Sequence, residues 1–321
     1  MDALRKQSQF LFDLYAGSRS HSAGQFEQFV FDLLRRDLHF DSGLWVSGAK
    51  TDAIALAHTV SLDRQPAQFL IDYEPLKHLD QLRMTIAHQL GATLNATSRT
   101  SLPEAFTPYL DRYGLEHALS TMLIDPDTAL YTCVSLYRSD LARPFSEQER
   151  QFKESIFPHL VECCTQYRLR QMTRQAQSLA SSIWRSAIAD RQGLLHYADA
   201  EFTRLLRLEW PDWRGPTLPS EISESFTRES NQWNRGKSIV AKGSRIGDVH
   251  LCEIRLRMVV DTLSDREREV AQYAARGLSH KEIARVLRIA PSTIRNHLAA
   301  IYRRLNVATK TEMANVIREL E

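Results

Sequence analysis

Apolar positions in this chain recur at helical spacing in some stretches and alternate in others, and the clearest helical pattern lies near the end. In residues 289–305, IAPSTIRNHLAAIYRRL, Ile294, Leu298, Ile301 and Leu305 make one apolar stripe. The opposite side holds Ser292, Arg295, Asn296, Ala299 and Arg303, small and basic residues suited to base edges or phosphates. Around it, Ser264 with Glu267, Ser279 with Glu282 and Thr309 with Glu312 read as capping boxes, which satisfy amide groups otherwise unpaired at helix starts. Gly277 is placed to end a helix and Pro291 to begin one, where its missing N–H costs nothing. The pattern predicts four helices, about 264–276, 279–288, 291–305 and 309–320.

Earlier in the chain the periods mix. Residues 1–20 read as a lead-in helix, and QFEQFVFDLLRRDL from Gln25 as an amphipathic one. Leu44–Ser47 and Ile54–Val60 read as strands, and Ala118–Ile124 with Ala129–Tyr137 as a hairpin turning at Asp125-Pro126-Asp127-Thr128. Ser146 with Glu149 forms another capping box, with Phe145 as its hydrophobic staple. The helix that follows aligns Phe152, Ile156, Leu160 and Cys164 and should bend at Pro158. Further on, Ser186–Asp190 and Leu194–Ala198 read as strands around a tight turn, Glu201–Leu206 as a short helix. Cys252, Ile254, Leu256 and Met258 alternate with charged residues, the pattern of a half-buried strand.

Composition adds little: 321 residues, 43% apolar and 25% charged, suggest two or three ordinary globular domains. Charge adds more. Lys281 to Lys310 holds seven Lys or Arg against Glu282 alone, a net +6, whereas the whole chain sums to +2. No apolar run is long enough to cross a bilayer, which points to a cytoplasmic protein. Cys133, Cys163, Cys164 and Cys252 lack zinc-ribbon or CxxC spacing and read as small buried hydrophobes.

The tail, LSDREREVAQYAARGLSHKEIARVLRIAPSTIRNHLAAIYRRLNVATKTEMANVI, closely resembles the LuxR-type helix-turn-helix family, with Leu263, Glu267, Val270, Gly277, Ile283, Ala284, Leu287, Thr293, His297 and Leu305 in pattern. The resemblance implies double-stranded DNA as partner, a recognition helix at 291–305, and contacts from Thr293, Arg295, Asn296, Ala299 and Arg303, with Ser279 and Lys281 at the backbone. It also implies a homodimer that engages RNA polymerase. Ala290 departs from the usual Ser cap, and Asn306 and Lys310 stand where Gly and Arg are commoner. Residues 21–165 resemble a GAF-type sensor domain, 166–179 read as a connector helix, and 180–258 resemble a PAS-like domain. The expected fold is α+β multidomain: two α/β sensor domains followed by a four-helix all-α module at 259–321.

For an effector, Trp45 and Tyr131 in the first sensor region and Trp184, Tyr197, Trp210, Trp213 and Trp233 in the second are candidates for an apolar ligand cavity. Acyl-homoserine-lactone receptors sharing this DNA module carry Tyr four residues after a Trp. Ala49 follows Trp45 at that distance, which disfavours a lactone. The acidic pair and parallel α/β pattern of a phosphorylated receiver are missing too. His159 and Cys163, one helical turn apart, could jointly hold a metal or haem iron, but no further ligands cluster nearby in sequence. Neither a nucleophile elbow nor a phosphate-cradling loop occurs before residue 259, which argues against catalysis. The expectation is a one-component transcription regulator, a small-molecule effector its input and no cofactor required. The alternative keeps the DNA-binding tail and makes the preceding region a protein-interaction or haem and metal-sensing module.

Overall fold

The computed structural model describes residues 2–21, 25–50, 55–175, 183–224 and 234–318. They divide into two compact units, one made of Met1–Met172, Ala187–Asp199 and Arg214–Leu218, the other of Thr173–Ser186, Ala200–Trp213 and Pro219–Glu321.

The first unit begins with helices α1 (Asp2–Ser20) and α2 (Phe26–Leu38), followed by strands β1 (Ser42–Lys50) and β2 (Ala55–Asp63). Helices α3 (Gln68–Tyr73) and α4 (Gln81–His88), strand β3 (Thr93–Thr97) and helices α5 (Ser98–Ser101) and α6 (Thr107–Tyr113) lead to β4 (His117–Ile124), β5 (Leu130–Arg138) and α7 (Glu147–Gln175). The sheet is antiparallel, in the order β2-β1-β5-β4-β3. Alternation along β1 sends Trp45 to one face and Leu44 to the other. Trp45, Leu119, Val134 and Leu136 are buried with Phe10 and Leu14 of α1, Phe31 and Leu34 of α2, and Ile156, Phe157 and Leu160 of α7. On the opposite face Leu44, Leu62 and Tyr137 pack with Phe69 of α3 and Tyr109, Leu110 and Tyr113 of α6. Helices therefore cover both sides.

The expected hairpin forms, and Asp125 makes its turn. Its Oδ1 accepts from Asp127 N at 2.9 Å, Thr128 N at 2.8 Å and Thr128 Oγ1 at 3.0 Å. Ser146 and Glu149 form the expected capping box, with Glu149 Oε2 accepting from Ser146 N at 2.8 Å. The helix runs on through Pro158 to Gln175, and the rest of the expected connector, 176–179, lies outside the described residues, as does Ile54.

Helix α7 carries a fully buried lysine whose side chain points into the sheet. Lys153 donates to Thr121 Oγ1 at 2.6 Å and to the Val134 carbonyl at 2.9 Å, and burial pushes its pKa down to about 7. Strands β6 (Arg185–Ala189) and β7 (Leu195–Ala198) form a second hairpin, where Asp190 accepts from Gln192 N and Leu194 N and Gly193 supplies a φ of 81°. His196 of β7 stacks on His58 of β2 at 4.2 Å between ring centroids. Burial first, then the neighbouring ring, brings His58 down to about 4.

The second unit carries α8 (Ala200–Glu209), α9 (Ser220–Ser223), β8 (Asn234–Arg235), β9 (Ile239–Ile246) and β10 (Val249–Leu256), the last three antiparallel in the order β8-β9-β10. Glu209 fastens α8 to the loop before β9 by accepting from the amides of Lys237 and Ser238 at 2.7 and 2.6 Å. Strand β10 departs from the expected half-buried alternation: Leu251 to Arg255 are buried without interruption, while Leu256 and Met258 are exposed. The charged side turns inward because each charge has a partner. Lys242 meets Glu253 at 3.2 Å, and Arg255 makes a two-pronged contact with Asp261 at 2.6 and 2.7 Å. Alternating charge in sequence looks the same whether that side meets water or a counter-ion.

A 3-10 turn, Val259–Thr262, leads into four helices: α10 (Asp265–Ala275), α11 (His280–Leu287), α12 (Pro291–Leu305) and α13 (Lys310–Arg318). Their shared core contains Val260, Leu263, Val270, Ile283, Ile294, Ile301, Leu305 and Met313. The chain is thus a mixed α/β protein with a helical C-terminal module.

Candidate nucleic-acid interface

Caps set the geometry of the C-terminal module. Ser264 N donates to Glu267 at 2.8 Å while Glu267 N donates back to Ser264 Oγ, and Ser279 with Glu282 repeats the arrangement at 2.7 Å. At α13, Glu312 N donates to Thr309 Oγ1 at 3.1 Å, and the Glu312 carboxylate accepts from Ala308 N at 2.8 Å. Helix α12 starts at Ala290 with no side-chain cap, as its sequence implies. Arg288 and Asn306 take left-handed backbone at φ 53° and 52°, ending α11 and α12.

Around α12 the stripe and the polar face separate as expected. Ile294, Ile301 and Leu305 are buried and Leu298 half-buried, whereas Thr293, Arg295, Asn296, Ala299 and Arg303 are exposed on the opposite arc. Ser279 and Lys281, at the start of α11, are exposed as well. All seven residues expected to meet DNA therefore belong to two consecutive helices and point away from their core.

Two of the cations behind the +6 charge do internal work. Arg304 pairs with Glu267 at 2.6 Å and donates to the Thr262 carbonyl, joining α12 to the start of α10. Lys310 donates to the carbonyls of Gly277 and Leu278 at 2.9 and 3.0 Å, holding the loop that presents Ser279. Sequence reasoning counted Lys310 toward the charge and noted it as a departure, whereas its side chain closes this loop through space. Lys281, Arg285, Arg288, Arg295 and Arg303 remain exposed. They give a solvent-facing cationic surface in the same two helices and the turn between them.

The aromatic candidates are not gathered into one place. Trp45 is buried in the first unit with Nε1 donating to Ser47 at 3.2 Å, and Tyr131 lies on the other face of that sheet, over Gly48. Tyr197, also in the first unit, has its hydroxyl 3.3 Å from Thr59 Oγ1. In the second unit Trp184 lies beneath two cations, Lys242 at 4.3 Å and Arg255 at 5.0 Å from its ring centre, while Trp210 donates to Glu221 at 3.3 Å and Trp213 is buried. Trp233 lies outside the described residues. His159 Nδ1 is 3.0 Å from the Tyr15 hydroxyl and Cys163 is buried against the Leu14 carbonyl. Among the described residues no three His, Cys, Asp or Glu are grouped so as to hold a metal, and no helix is long and apolar enough to cross a membrane.

A further set of aromatic and hydroxyl groups shares the sheet face that carries Tyr131. Ser120 donates to Ser135 at 2.8 Å, Tyr73 donates to Asp80 at 2.7 Å, and Tyr109 and Tyr137 lie close by around Phe69. Sequence reasoning missed this group because its members come from α3, α6, β4 and β5.

Residues 261–317 match the family described as bacterial regulatory proteins, luxR family. YhjB of Escherichia coli (strain K12), named as an HTH-type transcriptional regulator, is 25% identical over 190 residues, 51% of this chain and 94% of that protein. UhpA of Salmonella typhimurium (strain LT2), a transcriptional regulatory protein, is 40% identical over 55 residues, 17% of this chain and 28% of that protein. A crystal structure of Escherichia coli SdiA superposes with a TM-score of 0.41 at 13% identity, covering 97% of this chain and 96% of that one.

Proposed function

We propose that this chain, whose residues 261–317 are a LuxR-family helix-turn-helix domain, is a one-component transcription regulator that reads an operator as a homodimer under small-molecule control. The observation that carries the reading is the division of α12: an apolar arc seated in the module, and an exposed arc of Thr293, Arg295, Asn296, Ala299 and Arg303 beside Ser279 and Lys281. A helix of this kind lies in the major groove, with Arg295 and Asn296 at base edges and Lys281 at phosphate. Ala299 offers only a methyl contact. The substitutions that test it separate these roles. Arg295→Ala relaxes base preference and costs about 1–3 kcal/mol at its position, whereas Lys281→Ala weakens binding to all sequences and lowers the salt slope by about one. An unchanged affinity and base preference in Arg295→Ala overturns the docking.

In this reading residues 21–165 and 180–258 are the GAF-like and PAS-like sensors, and RNA polymerase is the downstream partner. The effector belongs against the first unit's sheet face beneath α3 and α6, where Tyr131, Tyr109 and Ser135 are buried with Tyr73 beside them and place aromatic rings next to hydroxyls. A compound that raises the melting temperature of the wild type but not of Tyr73→Phe supports this placement. Equal shifts in both proteins contradict it.

A further inference from the structure

We propose that Arg255 and Asp261 are positioning residues for DNA recognition: their buried ion pair locks the helix-turn-helix module to the end of β10. The lock fixes the spacing at which the two modules of a dimer address two half-sites. This rests on the dimeric regulator reading above.

The connection between strand and module is short, and its side chains from Leu256 to Val259 are exposed. Arg257 is still tied to the sheet side, its N–H donating to the Ser238 carbonyl at 2.8 Å and its guanidinium to the Gly236 carbonyl at 3.1 Å, so the freedom left to the module begins after Arg257. Asp261 removes the freedom. Its carboxylate accepts both prongs of the Arg255 guanidinium at 2.6 and 2.7 Å and the Met258 N–H at 2.7 Å, and Arg268 of α10 stands 3.8 Å away. One carboxylate thus meets the last buried residue of β10, the linker backbone and the first helix of the DNA module. Both partners are almost fully buried, Arg255 at 1% and Asp261 at 2% exposure, so the two-pronged geometry is not screened or averaged by water.

Each end of the lock is anchored in a different body of side chains. Val260 and Leu263, on either side of Asp261, belong to the core shared with α10–α13. Arg255 belongs to the sheet: its guanidinium lies 5.0 Å from the Trp184 ring, which also carries Lys242 at 4.3 Å, and Lys242 pairs with Glu253 of β10. The module's orientation is therefore set by contacts made within the sheet. An apolar pair of similar volume would bury as well and contribute comparable stability, but would not impose a direction. Placing a charged pair here adds geometry.

The test uses the full chain. Asp261→Asn keeps the shape and still accepts the Met258 amide, but loses the charge that holds both guanidinium prongs. Under native conditions trypsin cuts the wild type slowly after Arg257 and is expected to cut Asp261→Asn at least about tenfold faster, because cleavage follows local opening. In selection from duplexes carrying two half-sites at varied spacing, the wild type takes one spacing. The variant is expected to take neighbouring spacings within about threefold of each other while single half-site affinity stays within about twofold. Arg255→Met combined with Asp261→Leu removes both charges together and is expected to give the same pattern if Asp261→Asn folds poorly. Wild-type cleavage rates overturn the proposal, as does a single retained spacing. Should the wild type bind no duplex, the regulator reading fails, and cleavage after Arg257 still decides whether the lock exists.

Discussion

Lys153 gives the sharpest quantitative expectation for the first unit. Its ammonium is fully buried against the sheet, and its pKa falls from 10.5 to about 7. At about 1.4 kcal/mol for each pH unit, the charged form costs folding at most roughly 5 kcal/mol near neutrality. Lys153→Met removes that cost but takes a donor from the Val134 carbonyl and from the Thr121 hydroxyl, together about 2–4 kcal/mol, although Thr93 lies 2.7 Å from that hydroxyl and can take it over. The net expectation is a gain on the order of 1–3 kcal/mol at pH 6.5. The sign follows from proton binding. Between about pH 7 and 10.5 the unfolded chain holds more protons than the folded one, so wild-type stability rises with pH, and the advantage of the variant shrinks and reverses. Urea unfolding at pH 6.5 and 9.5, read by exchange mass spectrometry on peptides of β4, β5 and α7, measures both. A variant less stable at pH 6.5 than at pH 9.5 relative to wild type, or a difference independent of pH, refutes the reasoning.

Other expectations follow from caps and buried rings. Ala290 already has extended backbone at φ −66° and ψ 142°, so Ala290→Ser supplies the missing cap of α12 and should stabilise the module by about 0.5–1 kcal/mol in denaturant titration. No gain means the Ser hydroxyl fails to reach the free amides. For His58, a pKa depressed to about 4 means the unfolded chain binds more protons below about 6.5, so the first unit loses stability as pH falls from 6.5 toward 4. His58→Phe should flatten that loss in hydrogen exchange of β7 at pH 7 and 5. An unchanged pH profile assigns the loss to other groups.

How far the sequence foretells this arrangement depends on the range of the interactions involved. The four C-terminal helices were legible because caps such as Ser264 with Glu267 and the stripe of Ile294, Ile301 and Leu305 act within a few residues. The hairpin at Asp125 was legible for the same reason. The inward turn of Glu253 and Arg255 was not, since their partners Lys242 and Asp261 come from another strand and from beyond the strand's end. Lys310 reaches back more than thirty residues to Gly277, and no local pattern announces it. The aromatic candidates failed to converge because residue type gave no information on which sheet face each occupies. Trp45 and Tyr131 share a sheet and lie on opposite sides.

The central claim is that α12 lays its exposed basic arc into duplex DNA. Its most direct test is equilibrium binding of the full chain to a duplex selected from a random library, followed from about 50 to 200 mM salt. Specific binding with an affinity that falls linearly in log salt, and a slope shallower by about one ion in Lys281→Ala, is the expected result. Failure to select any duplex at low ionic strength, or binding indifferent to salt, contradicts it.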